Sequence, residues 1–160
     1  MDSNALQQLL DFLEDYTCFL EKAIQAQKDK LEAVLTHEVT VLESSVAAQQ
    51  NLAVQMEQYE KNREKFQFQA GFPNKTLTEI AQALEPDHPS EANKVLNCHS
   101  RMSKAVDQIK FLNSKAMHVV ETSLNVLNLS APSVNNLDAY TERAKKIAGS
   151  SGQSIFQTKV

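Results

Sequence analysis

Apolar residues recur along this chain every three or four positions, the spacing of one face of an α-helix. Leu6, Leu9, Leu10, Leu13, Tyr16, Leu20, Ala23 and Ile24 form the first stripe. They predict a helix from about Ser3 to Lys28, capped by Ser3 or Asp2. A second stripe, Leu31, Val34, Leu35, Leu42, Val46, Leu52, Met56, Tyr59 and Phe66, predicts a helix from about Lys30 to Gln69. No proline or glycine separates the two. One continuous helix of that span would be roughly 95 Å long at 1.5 Å per residue, more apolar face than one chain can bury. The pattern therefore predicts a hairpin, with its break in the polar run Gln25 to Lys30, where the first stripe fades.

The next break is marked by its residues, Gly71-Phe72-Pro73-Asn74. Thr76-Leu77-Thr78-Glu79 then reads as a capping box, in which the Thr76 hydroxyl and the Glu79 carboxylate each satisfy the other's backbone amide. It opens a short helix, Leu77 to Leu84, with Leu77, Ile80, Ala81 and Leu84 inward, stopped by Pro86 and Pro89. A third long helix is predicted from about Ser90 to Leu129. Its stripe is Val95, His99, Met102, Val106, Ile109, Asn113, Ala116, Val120 and Leu127, a near-heptad series. His99 is expected as a core histidine bonded to a neighbour, and Asn113 as a polar residue that sets register. Met56, Met102 and Met117 lie in helical stripes, where a methionine is ordinarily core, although such residues also soften a binding surface.

After Ala131-Pro132 the character changes. Asn135 or Asn136 can cap a short helix with Leu137, Tyr140, Ala144 and Ile147 on one face, ended by Gly149. Ser150 to Ser154 has linker composition, and Ile155 and Phe156 follow on a polar end. A helix this short is not stable alone in water. Two readings stay open: it docks on its own bundle, or it orders on a partner. Either way Ile155 and Phe156 need something to cover them. The reading is thus two units, a helical bundle over 1–129 and a C-terminal tail over 130–160.

Composition agrees with helices. The 160 residues include only 3 glycines and 4 prolines, too few for a sheet protein's turns. Net charge is −4, which gives no overall attraction to nucleic acid or anionic lipid. The charge is uneven: residues 1–129 are net negative, while Arg143, Lys145, Lys146 and Lys159 outnumber Asp138 and Glu142 in the tail. Basic residues on the long helices sit at spacings that suit solvated pairs such as Glu57–Lys61. The N-terminus lacks the basic start and apolar run of a signal peptide, and no stretch has the ~20 apolar residues of a membrane span, so a cytoplasmic protein is expected. Cys18 and Cys98 are then ordinary core or boundary thiols. No phosphate loop, Cys-x-x-Cys or His-Glu-x-x-His is present, and His37, His88, His99 and His118 are scattered. No enzyme, no cofactor, no small-molecule substrate and no nucleic acid are expected.

The order of these residues over most of 1–129 resembles the FlgN-type flagellar export chaperones, the type III secretion chaperones of the hook–filament junction proteins. The resemblance rests on Leu6 to Leu13, the polar joint near Asp29, the restart at Leu31 and Leu35, and Glu60-x-x-Arg63 ahead of Gly71. It continues through Thr76-Leu77-x-x-Ile80, Leu112-Asn113-x-x-Ala116 and Ser123-Leu124. It implies an all-α, antiparallel bundle of three long helices plus a short one, with a mobile C-terminal amphipathic tail that holds substrate and takes part in delivery to the export gate. Tyr140 resembles the tail tyrosine of that family, although Gly149 lies further behind it than the family habit. The expected partners are hook–filament junction proteins and the flagellar export gate, bound through Leu137, Tyr140, Ala144, Ile147, Ile155 and Phe156. A second reading is a structural coiled-coil protein that self-associates through the Val95–Leu127 series.

Overall fold

The computed structural model describes the backbone of residues 2–36 and 38–128, and the side chains of these residues up to 126. It contains four helices: α1 (Ser3–Leu35), α2 (Val39–Gln69), α3 (Leu77–Leu84) and α4 (Pro89–Asn128). No strand occurs among the described residues. The tail 130–160 and its predicted binding residues lie outside them.

α1 packs against both α2 and α4, and α3 packs on α4. Tyr16 meets Glu60 and Gln27 meets Gln49, so α2 runs antiparallel to α1. Cys98 meets Glu14 and Asn113 meets Lys30, 84 and 83 positions apart, so α4 runs parallel to α1 at a constant offset. The architecture is an up–down–up bundle of three long helices, with α3 on the crossing from α2 to α4. One apolar cluster joins all four helices, with Leu9, Leu13, Leu20, Met56, Leu77, Ile80, Leu84, Val95 and Met102 fully buried. Met56 and Met102 are therefore core and cannot soften a surface, and only Met117, half-buried, stays near one.

The hairpin exists, but not where the pattern predicts it. α1 continues through Gln25 to Lys30 and turns at Thr36–Glu38. The polar run keeps its helix because its side chains bond from within helical geometry. Gln25 donates to Asp29 at 2.9 Å on the outside, and Gln27 donates to Gln49 at 2.9 Å on the inside. Leu31 and Val34 thus continue the stripe of α1 rather than begin that of α2. At the true turn the Thr36 hydroxyl and amide both donate to the Ala33 carbonyl. The Glu38 side chain makes no capping bond to α2.

The second loop follows its residues closely. Gly71, at φ +85°, takes the left-handed position that ends α2, with Gly71 N–H donating to Phe68 O and Phe72 N–H to Gln67 O. Both bonds of the Thr76–Glu79 capping box form, and α3 spans the predicted Leu77–Leu84. α4 opens on Pro89, which suits the first turn because its missing N–H has no intrahelical partner. Its buried face is Val95, Cys98, Met102, Ala105, Ile109, Ala116 and Val120. Cys98, not His99, takes the inward position there; His99 is only half-buried, beside that face.

Candidate partner-binding surface

The half of the bundle nearest α3 is tightly joined. Tyr16, Phe19 and Tyr59 stack across α1 and α2, with ring centroids 4.9 Å (Tyr16–Tyr59) and 4.5 Å (Phe19–Tyr59) apart. Phe12 stacks on Phe66 at 5.0 Å. The Tyr16 hydroxyl donates to Glu60 at 2.6 Å, and Glu60 also accepts from Arg63. Arg63 donates to Gln67, whose amide donates to the Lys75 carbonyl at 2.7 Å, tying the loop to α2. Burial and the Glu60 carboxylate push the Tyr16 hydroxyl pKa up. On the other side of α1, Arg101 donates to Glu14 at 2.7 Å and to Glu21 at 2.8 Å. These bonds hold both carboxyls below the usual range. They lie partly in water, so each is worth about 1 kcal/mol at most and serves chiefly to align α4 on α1.

A polar layer crosses the bundle above this half. Gln27 donates to Gln49, and the Lys30 ammonium donates to Gln49 at 3.4 Å and to Asn113. All three long helices contribute. Burial pushes the Lys30 pKa down to about 8. Asn113, expected to set register, is the α4 acceptor for the Lys30 ammonium of α1.

Beyond the polar layer the packing thins. Only Val34, Ala116 and Val120 are buried there among the described apolar residues, with Leu31, Leu42, Val119 and Leu124 partly covered. The covered or partly covered positions of α2 in this stretch are Val41, Leu42, Ser45, Val46 and Gln49, a mixture of apolar and polar residues. The Ser45 hydroxyl is buried with no partner among the described residues. Since Val34 packs with Ala116 and Val120, α1 stops just above their level and the last turns of α4 project past it. Leu35 is 54% exposed, Val39 45% and Val126 60%. Leu112, Val119 and Val126 recur every seven residues and so share one flank of α4, beside its buried face. This distal end is a cluster of large apolar side chains with incomplete cover, at the point where the chain enters the tail. The other exposed apolar residues, such as Val54, Phe68 and Leu96, are scattered singly and need no explanation.

An open groove of about 500 Å³ lies between α1 and α4, lined by Gln7, Leu10, Asp11, Glu14, Asn93, Lys94, Asn97 and Cys98. Glu14 is held by Arg101, and burial raises the Cys98 thiol pKa, which disfavours a nucleophilic thiolate. No group of three or more metal-ligating side chains occurs among the described residues. No helix among them is long and apolar enough to cross a membrane.

The predicted binding residues Leu137, Tyr140, Ala144, Ile147, Ile155 and Phe156 all lie outside the described residues. What the pattern reading missed is the distal end. The periodicity places Leu35 inward on a second helix, whereas the Leu112–Val119–Val126 flank is legible as a seven-residue repeat beside the main stripe. The near-heptad series of α4 is spent inside the chain: Val95, Met102, Ile109, Ala116 and Val120 are buried in the bundle and offer no free seam to a second copy. No family model, curated protein or solved structure matches the chain.

Proposed function

We propose that this chain is a cytoplasmic export chaperone of the FlgN type, which holds the helical terminus of a hook–filament junction protein and delivers it to the flagellar type III export apparatus. The observation that carries this reading is the distal end, where apolar residues of α1, α2 and α4 lack cover beside the start of a basic, amphipathic tail. The terminal helices of axial proteins form coiled coils only after assembly. Before that they expose apolar seams prone to premature association. A partly covered helical surface plus an amphipathic segment can shield such a seam and release it, because neither forms a closed core with the substrate. In this reading Leu137, Tyr140, Ala144, Ile147, Ile155 and Phe156 grip the substrate, and the distal end completes the site. The bundle and the sequence resemblance both support it.

Co-purification with each late axial protein of its own organism tests the reading, using the full chain and a version ending at Leu129. A junction protein captured by the full chain alone supports the chaperone function with the tail as its main grip. Capture by both keeps the function and moves the site to the bundle. Capture by neither sinks the proposal.

A further inference from the structure

The distal end is also a surface with one candidate occupant close at hand. α4 leaves it pointing past the α1–α2 turn, and the rest of the chain begins there. Residues 129–136 span at most ~28 Å when extended, enough to reverse direction at Pro132 and cross one helix width. From Leu137 to Ile147 an α-helix would measure ~17 Å, against ~20 Å for the thinly packed stretch of α4 from Asn113 to Val126. The charges also match. Glu32, Glu38, Glu43 and Glu121 are exposed beyond the polar layer, against one exposed lysine there among the described residues, Lys115. The tail segment carries Arg143, Lys145 and Lys146 near its C-terminal half.

We propose that the distal end of the bundle is the seat of residues 137–147 of this same chain, with Leu137, Tyr140, Ala144 and Ile147 against its apolar side chains. The segment covers in the free chain the surface that the chaperone reading assigns to a substrate helix, so a substrate must displace it. The inference goes beyond that reading. Its test uses no junction protein, so either can fail alone.

Hydrogen exchange read by mass spectrometry on the full chain provides the test, comparing wild type with the double variant Leu137→Asp/Ile147→Asp. The substitutions lie outside the bundle, and residues 5–28 serve as the internal control. The expected result is exchange about five-fold or more faster in 39–48 and 114–126 of the variant, with 5–28 unchanged. Loss of the difference at ~0.5 M salt further supports a seat held partly by charge. Equal exchange in both proteins overturns the proposal. Protection of 39–48 in wild type that fades on dilution from ~50 to ~1 µM also overturns it, because the cover is then a second copy.

Discussion

Lys30 is the residue on which the bundle's electrostatics turn. Its ammonium lies among Gln49 and Asn113 with no carboxylate on it among the described residues, and burial lowers its pKa to about 8. An unfolded lysine titrates near 10.4. Between those values the unfolded chain holds a proton that the folded chain has given up. Stability contributed by this site therefore rises as pH climbs from about 8 towards 10. Cys98 and Tyr16, whose pKa values burial raises, act in the opposite sense, since the unfolded thiol and phenol ionise first. The Lys30→Met variant separates them: the wild-type-minus-variant stability difference from urea melts should move in favour of wild type across this pH window. At pH 7 the variant should be equal to or about 1–2 kcal/mol more stable than wild type, because it no longer buries a charge, although Asn113 loses a donor. A difference that stays flat from pH 7 to 10 would mean that Lys30 is effectively solvated.

At the scale of single elements, α3 is the clearest case of local instruction. Eight residues are too few for an independent helix, yet the Thr76–Glu79 capping box satisfies its first amides before any packing is counted. Thr76→Ala should destabilise the protein by about 1 kcal/mol in denaturant melts, with α3 fraying first by hydrogen exchange. Gly71 and the capping box are both written in local residues, which is why this loop and α3 were legible to the residue. The α1–α2 turn has no such marks. Thr36 to Glu38 holds no glycine or proline, and the polar residues that suggested a break ten positions earlier are satisfied within or across helices. A polar run reads as a loop only if its side chains face water, and Gln27 and Lys30 do not.

On the scale of the whole molecule, the bundle is unequal along its length. The half beside α3 has stacked aromatics, fully buried leucines and the Arg101 clamp, whereas the distal half rests on Val34, Ala116 and Val120. Leu13→Ala, at a fully buried site, should cost about 3 kcal/mol or more, since it removes apolar contact and leaves a cavity. Leu42→Ala, at a partly covered site where neighbours can relax, should cost about 1 kcal/mol. Thermal and urea unfolding of the two variants checks the contrast, and equal losses would mean that the distal half is as closely packed as the rest. Such a gradient leaves apolar surface open at the distal end while the half beside α3 stays closely packed.

The helical class, the ends of α3, the near-ends of α4 and most inward positions of the long helices, Leu35 and His99 excepted, were determined by sequence alone. Each depends on residues within a few positions of one another: a repeat of three or four, a cap, a glycine at positive φ, a proline at a first turn. Tertiary structure alone decided the site of the hairpin, the parallel pairing of α1 with α4, the partners in the polar layer and the open distal end. These depend on groups such as Lys30 and Asn113, 83 positions apart, which meet only once three helices have packed. Periodicity says that a face is apolar; whether that face is covered depends on how far its neighbours extend, and α1 stops before α4 does.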